Sequence, residues 1–270
     1  MYRVPTANAT SPDGFCTSGP TPKATGVEFP DGAGFYEAAP TYDPGRSAET
    51  KGEFATREII VSGGAFNTPQ LLKLSGIGPK DELRRFDIPI VANLLGVGTN
   101  LQDNYETHVH SRSPRDISVL ANSLLGAAGD PFLPCHDLPL FGGPISFIGF
   151  FTGYSKAFST TFNKFCWNVF KVHPRNERVG TVTLGSADPR RRPAINFRFF
   201  GSQDDGEHDL TAMAEGVSCA RAMFARVEKT LGPQEEENPG SGVRDVDAVK
   251  QDIKDNVFAP CDQHLRNRRG

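Results

Sequence analysis

The sequence predicts an α/β part followed by an α+β part. Three observations carry this. Residues 58–79 combine a β-branched run, a glycine pair and a helix-start pattern; strand-like stretches follow one another without helices between Pro144 and Phe200; and two amphipathic helical patterns come after them. A strand, a turn and a helix in succession belong to a layered α/β domain. Strands in succession argue for an antiparallel sheet, and two helices can then cover one of its faces.

The segment EIIVSGGAFNTPQLLKLSGIGP at 58–79 is the densest in signals. Ile59, Ile60 and Val61 are continuous and β-branched, which predicts a strand buried on both faces of a parallel sheet. Gly63 and Gly64 give the permissive backbone for a tight turn. Thr68 is then a predicted N-cap with Pro69 at the first helical position, Leu71, Leu72 and Leu74 form the apolar side, and Gly76 stops the helix. Backbone N–H groups at such a turn, unobstructed by side chains, can meet an anionic or hydrogen-bond-accepting ligand. On local grounds, an ordinary β–α connection without a ligand is the alternative.

Residues 1–23, rich in Pro, Thr, Ser and Gly, read as a loop or tail, and ATGVEF from Ala24 reads as a strand followed by a long polar excursion. After Pro79, KDELRRFDI predicts a short helix with Leu83 and Phe86 inward. Ile88–Val91 reads as a strand and GVGTNLQDN as a turn that needs its glycines. His108 and His110 alternate along the next strand and share one face. A metal would require a further ligand at recognisable spacing; none is present, so they read as strand histidines and no metal is expected. The segment 111–142 reads as a loop region with a short helix.

ISFIGFF, FCWNVFKV, GTVTL and INFRFF then read as strands, with DPRRRP as a turn whose Arg190, Arg191 and Arg192 form a solvated tip. The clearest helix is 207–229, with Leu210, Met213, Ala214, Val217, Ala220, Phe224 and Val227 on one side. A polar loop, QEEENPGSG, separates it from a helix over 245–257 whose stripe is Val246, Val249, Ile253 and Val257.

Composition narrows the function. The 270 residues are 37% hydrophobic and 23% charged, with a formal net charge of -3, so neither nucleic acid nor an anionic membrane is an expected partner. No run approaches membrane-spanning length, and the first residues lack the basic start and apolar core of a secretory leader. The five cysteines lie far apart with no C-x-x-C pair, so neither a zinc site nor a disulfide framework is indicated.

The spacing from Gly64 and Ala65 through Thr68, Pro69, Leu71 and Leu72 to Ser75, Gly76, Ile77 and Gly78 resembles a signature of the glucose-methanol-choline (GMC) family of flavin-dependent alcohol oxidoreductases. GVGTNLQDN at Gly96–Asn104 follows at the separation expected there, and the resemblance extends over roughly residues 24–258. It implies FAD as cofactor, a small-molecule alcohol as substrate, and hydride transfer from the alcohol carbon to the flavin. It also implies a remnant of an FAD-binding domain, of glutathione-reductase-like fold, at 24–105. A substrate-binding domain at 106–257 follows, an antiparallel sheet with helices on one face, and then an off-family tail at 258–270. Gly63, Gly64 and Ala65 are the implied backbone contacts of FAD.

Three departures from the family pattern are visible, the first at Asn104, where the family usually has a histidine. No G-x-G-x-x-G fingerprint is found; GAGFYEA at 32–38 has Glu37 at the third glycine position. The family's aromatic residue followed by paired histidines, the source of its base, reads here Phe258-Ala259-Pro260, and no catalytic residue is assigned. Ala259–Arg268 can be back-translated so that a shift of one nucleotide spells His-His-Ala-Thr-Ser-Thr-Cys-Ala-Ile-Gly, which implies that the coding sequence leaves the family frame after Phe258. The expectation is a truncated, inactive member of the family. The alternative is a non-catalytic remnant that binds a ligand or a full-length homologue.

Overall fold

A β-hairpin comes first among the described elements, where ATGVEF predicts a strand: β1 (Gly26–Pro30) runs antiparallel to β2 (Thr50–Phe54), with Gly26 opposite Phe54. The computed structural model describes residues 22–47, 49–115, 140–143, 146–147, 163–171, 180–201 and 204–258. They fall into two compact units. One is built from described residues of 22–102 and 180–198, the other from those of 103–171 and 199–258.

In the first unit, helix α1 (Gly64–Leu74) starts earlier than the sequence predicts. Gly63 is its N-cap, and Thr68 and Pro69 lie inside it. Pro69 lies in the second turn, where its missing N–H forgoes the bond to the Ala65 carbonyl and its ring crowds that same carbonyl. The stop is as predicted: Gly76 sits at φ +81°, where a side chain would run into the Pro89 carbonyl. The buried face is Pro69, Gln70, Lys73 and Leu74 rather than the leucine triplet. Its polar members are hydrogen-bonded, Gln70 Nε2 donating to the Arg191 carbonyl at 2.7 Å.

The parallel-sheet strand expected at Ile59–Val61 is not formed. Those residues carry no ladder, and Ile60 is 79% exposed. A strand is held by its neighbours, and no described residue pairs with this run, so β-branching alone does not fix it. The parallel pair among the described residues is instead β3 (Ile77–Gly78) with β4 (Ala92–Asn93), just beyond the predicted 88–91. Helix α2 (Lys80–Arg85) forms as predicted with Leu83 fully buried, while Phe86, the other inward residue expected, is half-buried. The GVGT turn needs its glycine: at Gly98, φ +78°, a Cβ would strike the Val182 carbonyl.

The hairpin of β8 (Thr181–Thr183) and β9 (Ala194–Asn196) belongs to this unit. Val182 N–H donates to the Gly98 carbonyl at 2.7 Å. Arg190, Arg191 and Arg192 are exposed, as expected of a turn. Their backbone is nonetheless held: Glu37 N–H donates to the Arg190 carbonyl at 2.8 Å, and Arg192 N–H donates to the Glu37 carboxylate at 3.0 Å.

The second unit is a four-stranded antiparallel sheet of β5 (Tyr105–Arg112), β6 (Leu140–Gly143), β7 (Lys164–Lys171) and β10 (Glu235–Asn238), in the order β10-β5-β7-β6. Helices α3 (Asp204–Leu231) and α4 (Val246–Asn256) pack on one face of it. The core joins Tyr105, Val109 and Val169 to Leu210, Met213, Val217, Ala220 and Phe224 of α3 and to Val249 and Ile253 of α4. Asp245 caps α4, its Oδ1 accepting the Ala248 N–H at 2.8 Å.

Two expectations need correction in this unit. Val246, assigned to the buried stripe of α4, is 61% exposed: it lies on the same i, i+3, i+7 stripe as Val249 and Ile253, but at the first helical position, beyond the core that those two join. Within the expected polar loop QEEENPGSG lies the edge strand β10, whose acids are matched by bases: Glu236 with Arg221, and Glu237 with Arg112 and Lys164. The expected tail at 1–23 falls outside the described residues except for its last two, Pro22 and Lys23. The other readings outside them are most of 111–142, most of ISFIGFF, and the terminal 259–270. Among the described residues no helix is long and apolar enough to cross a membrane.

Candidate functional site

Two places gather functional chemistry, one in each unit. The first is the turn entering α1. Gly63 and Gly64 are exposed, and Gly64, at φ +81°, has open space where a side chain would stand. The N-cap makes no side-chain hydrogen bond, and the first turn carries no acidic residue. The N–H groups that begin the helix are thus neither capped by a side chain nor shielded by a carboxylate, which suits an anionic or hydrogen-bond-accepting partner. The candidate contacts Gly63, Gly64 and Ala65 are brought together here as consecutive residues. The same unit has a cavity of about 350 Å³ lined mainly by Phe29, Leu74, Phe86 and Pro89, with Glu28 and Asp87 at its wall.

The second place is the sheet face of the other unit that points away from α3 and α4. Alternation sends Tyr105, Val109 and Val169 to the helices and turns Glu106, His108, His110, Cys166 and Asn168 the other way. In the ladder, His108 stands opposite Asn168 and His110 opposite Cys166. These polar groups are not in water: Glu106, His108 and His110 are 3%, 4% and 3% exposed. Phe258 forms a backbone bridge with Glu106, both N–H groups donating across it at 2.9 and 3.0 Å. Its ring lies 5.8 Å from that of His108 and 5.6 Å from that of Phe147.

Burial sets the charge states. It pushes the Glu106 carboxyl up to about 8 and, helped by the neighbouring His110, holds the His108 imidazole down at about 4. His110 is also lowered by burial, against the pull of Glu237, whose Oε2 is 3.2 Å from its Nδ1. Burial pushes the Cys166 thiol well above its ordinary range, so it is not a thiolate nucleophile. At neutral pH this face is therefore uncharged at Glu106, His108 and His110. Nδ1 and Nε2 of His108 and Nε2 of His110 find no hydrogen-bond partner among the described residues.

Sequence reasoning placed both histidines on one strand face, and the structure brings them together with ring centroids 6.4 Å apart. It overlooked Glu106, although the i, i+2, i+4 spacing of Glu106, His108 and His110 was the available signal. Among the described residues no group of three or more His, Cys, Asp or Glu could hold a metal ion.

Comparison with known proteins follows this geometry. Models of the GMC oxidoreductase family match residues 14–106, for its N-terminal part, and 175–263, for its C-terminal part. The mitochondrial choline dehydrogenase of Mus musculus is 32% identical over 232 residues, covering 77% of this chain and 38% of that protein. An oxygen-dependent choline dehydrogenase of Stenotrophomonas maltophilia is 27% identical over 239 residues, covering 76% and 40%. The chain thus spans about two-fifths of the length of these curated relatives. Among solved structures, an Aspergillus oryzae RIB40 formate oxidase variant superposes with a TM-score of 0.63 at 23% identity, covering 87% of this chain and 46% of that one. Pyridoxine 4-oxidase from Mesorbium loti gives 0.60 at 17% identity, covering 90% and 43%. These structural likenesses establish a shared fold.

Proposed function

The chain belongs to the GMC oxidoreductase family, and from that premise we propose that it carries part of the machinery of an FAD-dependent oxidoreductase acting on CH–OH groups of a small-molecule alcohol. Residues 24–105 correspond in this reading to a remnant of the FAD-binding domain, to whose unit the hairpin at 180–198 belongs, and the rest of 106–257 to the substrate-binding domain; the tail expected at 258–270 begins inside the family match, which runs to residue 263. The observation that carries the reading is the uncapped, unobstructed glycine turn at the head of α1.

That turn fits the cofactor. Gly63, Gly64 and Ala65 would hold FAD through backbone N–H groups, with no side chain at Gly64 to block close approach. When bound, FAD supplies a hydride acceptor for alcohol oxidation. This chain's sheet face contributes a dry, uncharged floor at Glu106, His108 and His110. An alcohol becomes a good hydride donor only when a base takes its hydroxyl proton. At the position after Phe258, where the family resemblance places a paired-histidine motif, Ala259 and Pro260 offer no group that accepts it. In this reading the residues present do not oxidise an alcohol on their own.

Titration of FAD into the purified chain, read by flavin fluorescence, tests this. Binding is expected, and Ala65→Asp, which keeps the helix start but sets a carboxylate at it, is expected to weaken it about tenfold. No alcohol is expected to bleach the flavin band. Absence of FAD binding would overturn the reading, and alcohol-dependent bleaching would overturn the assigned inactivity. A second reading is a non-catalytic remnant that binds a ligand or a full-length homologue, and the imidazole nitrogens of His108 and His110 that lack a hydrogen-bond partner among the described residues favour it.

A further inference from the structure

The cavity of about 350 Å³ in the first unit plays no part in holding a flavin at the glycine turn. Leu74, in its wall, ends the 11-residue helix that Gly64 begins, so the two places lie about 15 Å apart along the helix axis. Separate stretches of chain close on the cavity: β1 with Glu28 and Phe29, β2 with Thr50, the end of α1 with Leu74, and the residues after α2 with Phe86 and Asp87. The turn between β8 and β9 completes the wall.

That wall is apolar apart from two carboxylates and one hydroxyl. Both charges are negative, and no Lys, Arg or His lines the cavity. Neither the Glu28 nor the Asp87 carboxylate has an ion pair or a hydrogen bond among the described residues. On the adjoining α2, by contrast, Asp81 is answered by Arg84 and Glu82 by Lys73. Nor does the turn require Asp87, which stands at φ +54°, the left-handed conformation that follows a helix end and favours glycine. A carboxylate against apolar walls has lost part of its water and gains by meeting a cation, and a phenyl ring attracts a cation over its face. An anion would meet only like charge. Carboxylates accept hydrogen bonds, so a cation bearing N–H groups matches them better than a quaternary one, which has none to donate.

We propose that this cavity is a binding site for a small organic cation of the primary-ammonium class, its ammonium donating to the Glu28 and Asp87 carboxylates and its apolar body lying against Phe29, Leu74 and Phe86. The volume of about 350 Å³ falls within the range of small-molecule seats. Nothing in the site depends on whether the chain holds FAD.

The test is isothermal titration calorimetry of the full chain at neutral pH with phenethylamine, phenylacetamide and phenylacetate, which share a phenyl body and differ in charge. Phenethylamine is expected to bind at least about tenfold more tightly than the neutral amide or the anion. Phenethyltrimethylammonium, which keeps the charge and loses the N–H groups, is expected to bind about tenfold more weakly than phenethylamine. Asp87→Asn, a side chain suited to the same left-handed conformation, and Glu28→Gln are each expected to weaken phenethylamine about tenfold while leaving the melting temperature unchanged. No detectable binding of phenethylamine, binding of phenylacetate as tight as that of the amine, binding of the quaternary compound as tight as that of the amine, or amine binding unchanged in both variants would each overturn the proposal. Should one variant not fold, the other and the ligand series on the unsubstituted chain decide it.

Discussion

Glu106 and its neighbours on β5 couple folding to pH in opposite directions. Burial holds the Glu106 carboxyl at about 8 against an ordinary 4.5, and the His108 imidazole at about 4 against 6.5. The raised carboxyl contributes stability that is whole below about 4.5 and lost as pH climbs through about 8. The lowered imidazole contributes stability that is whole above about 6.5 and lost as pH falls toward about 4. Between 4.5 and 6.5 the two slopes oppose each other. His110, also lowered, adds to the imidazole side there. Above 6.5 only Glu106 titrates within this set, and stability should fall by up to about 1.4 kcal/mol per pH unit. Urea denaturation at pH 6.5 and pH 8 is expected to show a loss of up to about 2 kcal/mol that Glu106→Gln abolishes; parallel behaviour of the two proteins would refute the assignment. The histidines were legible in the sequence because alternation alone puts them on one face. That both nitrogens of His108 and Nε2 of His110 find no hydrogen-bond partner among the described residues was not, since it depends on everything that folds around them.

At the scale of elements, α1, α2 and β8 are tied by one buried ion pair. Lys73 Nζ donates to both Glu82 oxygens at 2.8 and 3.0 Å and to the Val182 carbonyl at 2.7 Å, and Glu82 Oε1 accepts the Leu184 N–H at 2.6 Å. Desolvation by burial lowers the Lys73 pKa, and the Glu82 contacts work against it. Removing one partner strands the other charge, so Lys73→Met is expected to cost about 3–5 kcal/mol in chemical denaturation. Lys73→Met combined with Glu82→Gln should recover at least half of that, because the amide still accepts the Leu184 N–H without a buried charge. This cluster could not be read from the sequence: Lys73 and Val182 are 109 positions apart. Elements defined by local periodicity were legible, α3 and α4 by their apolar stripes and β5 and β7 by alternation. Those defined by a remote neighbour were not. Ile59–Val61 has β-forming residues and no ladder, whereas β10, all charge and amide, is a strand because Arg112, Lys164 and Arg221 answer its acids.

For the whole molecule, the first unit is discontinuous: the hairpin at 180–198 returns to it after the sheet of the second unit has begun. The backbone groups it brings, the Val182 carbonyl and the Leu184 N–H, complete the Lys73–Glu82 cluster. A fragment comprising 22–102 alone is therefore expected to lack a cooperative unfolding transition, and joining 180–198 to it by a flexible linker is expected to restore one, as followed by circular dichroism. A cooperative transition in the shorter fragment would contradict this. The interleaving also constrains how such a chain can be recombined. A single crossover between 102 and 180 would pair a lysine–glutamate cluster from one parent with a hairpin from another, mismatching groups that must meet within hydrogen-bonding distance. Hybrids of related sequences therefore inherit this unit intact only when exchanges come in pairs that carry both stretches together.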